Sequence, residues 1–334
     1  MKFHALLPVA NEADILPECL DAMLTWADGI WVFDTGSVDD SWEIVLDYAD
    51  KNKAVRPIKK DPVYYSEPLL RGYIFETARK EMKDGDWFLR VDADEFHHLT
   101  PQQMLKERLR PHETIVYHQY YDFQLLESEA AALDSPEAIE AERQKPIAER
   151  RRHYIPSVYS EPRMCKYRST MKWPRTAGFP VNAGFVAVER YPIRHYPHRD
   201  PAQLDRRCRL RSIMLADKNN QRHWRQAAEH HWAIEDWRKF IVKDDDDRPQ
   251  HWAPGTDLPH LKQTNHIAKP HKRLAQRLVH AFMLPTLDKK REGFPADAYP
   301  DPIGEDLRQA IRDSLLSDEA LKAGPEGHTA QAKS

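Results

Sequence analysis

The stretch Asp86-Trp-Phe-Leu-Arg-Val-Asp92-Ala-Asp94-Glu95-Phe-His97-His98 limits what this chain can fold into more than any other. Trp87 to Val91 reads as a buried β-strand, because aromatic and β-branched apolar residues favour a strand and the acidic cluster stops it. Asp92 and Asp94, one residue apart at the strand's end, are expected to point the same way, since side chains alternate with period two. Two carboxylates so placed repel each other unless a cation sits between them. Hard oxygen ligands suit Mg²⁺ or Mn²⁺, which proteins commonly hold with one or two carboxylates plus the phosphates of a substrate. The plain alternative is a solvated acidic loop, with His97 and His98 as surface residues. What precedes the stretch decides between them.

Phe3 to Pro8 reads as a first strand ending at a proline, with Asn11 and Glu12 just beyond it. A helix follows, its apolar stripe being Ile15, Leu16, Cys19, Leu20, Met23 and Leu24. Gly29 to Asp34 is a second buried strand that breaks at Thr35-Gly36-Ser37. Asp39, Asp40 or Ser41 then caps a helix over 42–50, and for Asp39 a capping role outweighs a ligand role. A shorter third strand is expected over 54–58 and a helix over 69–82, before the acidic strand comes fourth. Strands alternating with helices predict a parallel sheet covered on both faces. Ligands of such sheets bind at the carboxyl ends of the strands. The polar residues fall there: Asn11 and Glu12 after strand one, Asp34 after strand two, Asp92 and Asp94 after strand four.

Three patterns now stand in order: Pro8-Val-Ala-Asn11-Glu12, Val32-Phe-Asp34-Thr-Gly36-Ser37-Val-Asp39 and Asp92-Ala-Asp94-Glu95. Together they resemble the opening of family 2 glycosyltransferases of the GT-A fold, most closely the bacterial members. The resemblance covers roughly residues 1 to 100 well and continues more weakly to about 211. It implies an α/β fold of GT-A type, with a mostly parallel central sheet and helices on both faces; the residues themselves add a helical C-terminal extension, since Ala202 to Ile241, with Trp224, Trp232 and Trp237, reads as helical. It implies that Asp34 binds the nucleotide base, that Glu12 binds base or ribose, and that Pro8, Asn11 and Arg71 line the nucleotide. Asp94, with Asp92 behind it, would hold Mn²⁺ or Mg²⁺ on the diphosphate. The pattern departs from the family at Thr35, where a second acidic residue is common, and at Asp40, where glycine is common.

Further on, Leu99 to His112 reads as a short helix capped by Thr100 with Pro101 in its first turn. Thr114 to Gln124 is aromatic and β-branched, a strand lining an acceptor region. Glu127 to Arg152 is charged enough to be a solvent-facing helical insertion. Pro162 to Arg168 is another strand, leading to Trp173, and a last strand runs from Val186 to His195. The segment after Trp173 lacks the His-Glu pair often found in relatives, so the general base stays unassigned. By the same resemblance, His195 is expected as a further metal ligand and Arg199 as a diphosphate contact. The domain expectation is a catalytic domain over 1–205, a helical extension over 206–316 and a disordered tail over 317–334.

Net charge is −3, from 50 Lys and Arg against 53 Asp and Glu, which leaves no global field for nucleic acid. Mean hydropathy of −0.76 is that expected of a soluble protein, and no apolar run is long enough to span a bilayer; three scattered cysteines (Cys19, Cys165, Cys208) make a reducing cytoplasm the expected location. The basic amphipathic segment from Lys269 to Leu284 has two readings: a helix packed on the catalytic domain, or a reversible contact with the inner face of an anionic membrane. The expected chemistry is metal-dependent, inverting transfer of a sugar from a nucleotide-diphosphate donor to the hydroxyl of a glycan or lipid-linked acceptor, in surface-glycan synthesis. The alternative is a non-catalytic nucleotide-sugar-binding protein of the same fold.

Overall fold

The computed structural model describes residues 1–64, 67–181, 183–217, 236–262, 270–290 and 292–322. Its strands are β1 (Phe3–Val9), β2 (Gly29–Asp34), β3 (Val55–Lys60), β4 (Trp87–Arg90), β5 (Glu95–His97), β6 (Ile115–Gln124), β7 (His153–Pro156), β8 (Pro162–Lys166), β9 (Tyr191–His195) and β10 (Gln250–His251). Its helices begin with α1 (Leu16–Leu24), α2 (Ser41–Lys51), α3 (Glu67–Ala78) and α4 (Pro101–Glu107). Then come α5 (Glu127–Ala131), α6 (Pro136–Arg143), α7 (Ile147–Arg150), α8 (Pro201–Ala216), α9 (Pro270–Phe282), α10 (Leu284–Lys289) and α11 (Glu305–Lys322).

Two compact units are present. The first comprises Met1–Phe123, Arg152–Pro197 and Arg248–Asp301, and it carries the sheet. β4, β1, β2 and β3 are adjacent and parallel in that order. Every residue of β1, β2 and β4 is buried, as expected of strands covered on both faces. β3, at the edge, is half-buried and carries two lysines, which discourages further pairing. β8 runs antiparallel between β4 and β6, and β6 pairs in parallel with β9. α3 packs Leu70, Ile74, Phe75 and Ala78 into a cluster with Leu6, Phe33, Phe88 and Trp173.

α4 begins as its sequence predicts. Thr100 Oγ1 accepts from the Gln103 amide at 3.2 Å while the Thr100 amide donates to Gln103 Oε1 at 2.8 Å, a reciprocal cap. Two expectations are corrected. The chain after the acidic loop is strand β5, paired antiparallel with β9, and β9 itself starts only at Tyr191. His97 is half-buried rather than a surface residue, stacked on Tyr191 at 4.8 Å and edge-on to Trp26 at 5.3 Å. Burial lowers its pKa to about 3, so the ring is neutral.

The second unit comprises Gln124–Arg151, His198–Asp247 and the stretch from Pro302 onward. It holds α5 to α8 and α11, with Leu125, Leu133 and Leu204 at the centre of its core. α11 packs on α8, tied by Arg209 Nη1 to the Ser314 hydroxyl at 3.0 Å. The polar stretch from about 317 is therefore helical as far as Lys322; residues 323–334, and the aromatic positions Trp224 and Trp232, lie outside the described residues.

Candidate functional site

The parallel order β4-β1-β2 brings three loops to one edge of the sheet. Val9, the last residue of β1, is in register with Asp34, the last of β2. The two loops that follow are laced together. The Asn11 amide donates to Ser37 Oγ at 2.9 Å, and Asn11 Oδ1 accepts from the Val38 amide at 2.9 Å. Asn11 takes a positive φ of 56°, which asparagine tolerates better than most residues. The Glu12 amide donates to Ser41 Oγ, and Asp39 accepts from the amides of Ser41 and Ala13. Asp39 thus braces the loop, while Asp40 is the residue at the N-cap of α2.

Asp34 is fully buried. Its Oδ1 accepts from the amides of Gly36 at 2.8 Å and Ser37 at 2.6 Å. Its Oδ2 is buried and, among the described residues, meets no hydrogen-bond donor. Burial raises the pKa of this carboxyl above the usual aspartate value, against the pull of those amides. Gly36 is required in the turn: its φ is +99°, and a Cβ there would lie 2.8 Å from the Pro62 backbone. Thr35 uses its hydroxyl on the Val9 carbonyl at 3.2 Å. Pro8 is buried within β1 opposite Phe33.

β4 ends at Arg90, so the alternation that would align Asp92 with Asp94 has already stopped. The two carboxylates take different partners. Asp92 is clasped by two buried arginines, Arg71 Nη2 at 2.6 Å and Arg163 Nη1 at 3.3 Å. Arg71, on α3, has no exposed surface at all. Arg163 also reaches Glu95 at 2.8 Å and Glu161 at 3.0 Å, and it donates to the Tyr120 hydroxyl, which in turn donates to Glu95. Burial, with Asp92 adding to it, pushes the Glu95 carboxyl up to about 7 despite Arg163. Glu95 is therefore an interior partner of Arg163 and Tyr120, not a solvated side chain.

Asp94 faces a different group. His195 Nε2 lies 3.5 Å from Asp94 Oδ2, and His195 Nδ1 lies 2.7 Å from Asp122 Oδ1. The imidazole stacks on Tyr120 with ring centroids 4.8 Å apart. Burial disfavours its charged form, but Asp94 and Asp122 on either side win and raise its pKa to about 10. The carboxylates from separate strand tips also share one neighbourhood. The buried Cys19 thiol is pushed up by desolvation and then by Asp94, Glu95, Glu12 and Asp92 together.

Structure therefore brings Asp92, Asp94, Arg71 and His195 into one cluster and puts Asn11, Glu12 and Asp34 at the same sheet edge. Arg199 belongs to the second unit, where it is buried, with its carbonyl accepting from Arg151 Nε at 2.7 Å. Trp173 is a core residue whose indole donates to the Ala177 carbonyl. Three members of the cluster went unassigned in the sequence: Arg163, Tyr120 and Asp122. Each comes from a strand whose pairing with β4, β8 or β9 brings it in from far along the chain. Among the described residues, no three His, Cys, Asp or Glu side chains converge as ligands of one ion.

Comparison with known proteins adds the family. Residues 5–160 match glycosyl transferase family 2, a span that contains the β1, β2 and β4 loops described above. The matched span, 156 of 334 residues, is similar to that family over a little under half of the chain. Over these residues the chain is similar to a glycosyltransferase domain, and they include β2 to β7 of the sheet. Among solved structures, the chain is similar to the mannosyltransferase PcManGT from Pyrobaculum calidifontis, solved in complex with GDP-Man and Mn²⁺. That match has 13% identity and a TM-score of 0.31, covering 97% of this chain and 75% of that one. A second is glucosyl-3-phosphoglycerate synthase from Mycobacterium tuberculosis, solved with phosphoglyceric acid. It has 13% identity and a TM-score of 0.22, covering 49% of this chain and 56% of that one. No curated protein matches the chain. Among the described residues, no helix is long and apolar enough to cross a membrane.

Proposed function

We propose that the first unit moves a sugar from a nucleotide-diphosphate donor to an acceptor hydroxyl, with inversion at the anomeric carbon and with a divalent cation, Mn²⁺ or Mg²⁺. The observation that carries the reading is the orphaned Oδ2 of Asp34 at the sheet edge that also holds Asp94. A buried carboxylate oxygen without a donor costs free energy unless a ligand supplies one. The ring N–H or exocyclic amine of a nucleotide base is such a donor. Asn11 and Glu12, held against the same loop, are assigned to base and ribose.

The donor set that follows β4 fits a hard divalent cation. Asp94 offers a carboxylate oxygen, and His195 offers Nε2 from an imidazole whose other nitrogen is held by Asp122. A carboxylate behind a ligating histidine is the usual support for such a ligand. Two protein ligands suit an ion completed by diphosphate oxygens and water. Asp94 and His195 would hold the cation, which would supply positive charge against the negative charge that grows on the diphosphate leaving group.

The chain's own residues do the rest. Asp122 fixes the ring of His195 so that Nε2 faces Asp94. Arg71 and Arg163 pin Asp92, and with the hydrogen bond that the Asp92 backbone N–H donates to Glu95 they fix the turn that presents Asp94. A surface glycan, or a lipid-linked precursor of one, is the acceptor class the family resemblance favours.

The test is donor turnover with UDP-, GDP- and dTDP-sugars in the presence of Mn²⁺ or a chelator. One of these donors should be consumed in a metal-dependent manner, and Asp94→Ala should abolish that turnover while the protein stays folded. Unchanged activity in Asp94→Ala, with chelator as with metal, contradicts the reading.

A further inference from the structure

α9 docks on the first unit by its polar side and turns its apolar side outward. Arg273 donates to Glu113 at 2.6 Å and to the Val186 carbonyl at 3.0 Å, with its guanidinium 4.6 Å from the centre of the Phe185 ring. His280 meets the same ring edge-on at 6.0 Å, and Gln276 between them is half-buried. Positions 273, 276 and 280 form one helix face. On the other side Leu274, Leu278 and Phe282, at i, i+4 and i+8, are 60%, 55% and 77% exposed, and Met283 beside them is 49% exposed. A helix on a globular unit normally buries its apolar stripe. A contiguous exposed stripe of this kind marks an interaction surface.

Charge says what covers it. Residues 270–290 contain the basic side chains Lys272, Arg273, Arg277, Lys289 and Lys290 and a single acid, Asp288. Arg273 is taken by Glu113, and Asp288 is fully buried against Arg168 and Thr170. The exposed charges are then Lys272, Arg277, Lys289 and Lys290, all positive, on a chain whose net charge is −3. We propose that the α9–α10 face docks on an anionic lipid surface. Leu274, Leu278 and Phe282 enter the boundary between headgroups and acyl chains, and the lysines and Arg277 meet lipid phosphates. A second copy of the chain fits this face less well. A two-fold contact sets identical cations opposite each other, and the segment has no exposed acid to separate them.

Co-sedimentation of the full chain with vesicles tests the proposal, and because it reads binding it stands apart from the sugar-transfer reading. The vesicles are phosphatidylcholine alone or phosphatidylcholine with phosphatidylglycerol. The wild type should bind the anionic vesicles and be released by high salt. Lys272→Glu with Arg277→Glu should weaken binding by about fivefold for each cation removed. Leu274→Ser, Leu278→Ser and Phe282→Ser combined should weaken it by roughly tenfold or more without lowering the melting temperature, since these side chains are exposed. The proposal is overturned if the wild type binds neither vesicle, or binds both equally. It is also overturned if the variants bind as the wild type does. Sedimentation velocity that shows a dimer abolished by the three serines assigns the face to self-association instead.

Discussion

Asp34→Asn separates what this carboxylate does for the fold from what it does for a ligand. The amide oxygen of asparagine can keep the bonds from Gly36 and Ser37, now 2.8 and 2.6 Å long. Its nitrogen then replaces the orphaned Oδ2 and turns an acceptor into a donor. If that oxygen accepts from a nucleotide base, binding loses a bond to a charged group, about 1.5–3 kcal/mol, or roughly tenfold to a hundredfold in Kd. Fold stability should not fall. Burial holds the Asp34 pKa above its value in the unfolded chain, so the native state binds the proton more tightly than the unfolded state does. The contribution of Asp34 to stability therefore declines as pH rises from the unfolded aspartate pKa through the folded one, and a neutral asparagine removes that decline. Calorimetric titration with UDP, GDP and dTDP in Mn²⁺, together with melting of the unliganded protein at neutral pH, reads both quantities. A variant that binds the preferred nucleotide as tightly as wild type refutes the role assigned to Oδ2. One that melts several degrees lower without ligand refutes the claim that the fold does not need the charge.

Other substitutions probe the neighbouring groups. Asp122→Asn should keep the stacked position of His195 but weaken its support, lowering the affinity for Mn²⁺ by about 10- to 100-fold, as followed by titration in the presence of nucleoside diphosphate. An unchanged affinity would remove His195 from the ligand set. Arg163→Met leaves Asp92, Glu95 and Glu161 without their shared buried partner, and should cost about 3–5 kcal/mol in urea unfolding. A loss below about 1 kcal/mol would show that the cluster is better solvated than its burial implies. Adding Glu95→Gln to Arg163→Met should recover part of that loss, because one stranded charge goes with it.

The central sheet was legible because β1, β2 and β4 are short apolar runs punctuated by polar residues, and burial on both faces leaves them no other place. The cap at Thr100 was equally local. The acidic loop was harder. Side-chain alternation predicts a shared direction for Asp92 and Asp94 only while a strand continues, and the strand stops at Arg90. Their divergence is set by Arg163 and His195, which arrive through β8 and β9, pairings of long sequence separation that no local pattern encodes. His97 looked like a surface residue because a histidine next to an acidic loop usually is. Its burial depends on Trp26 and Tyr191, which come from elsewhere in the chain. α9 shows the same limit: its periodicity is that of a packed helix, and the contacts of Arg273 with Glu113 and of His280 with Phe185 reveal which side faces in.

The most direct measurement is a crystal structure of the protein with Mn²⁺ and the nucleoside diphosphate it binds best. The account predicts a base N–H or amine against Asp34 Oδ2 and the ion on Asp94 and His195, bridging to the diphosphate. A nucleotide bound away from Asp34, or an ion held without Asp94, would contradict it.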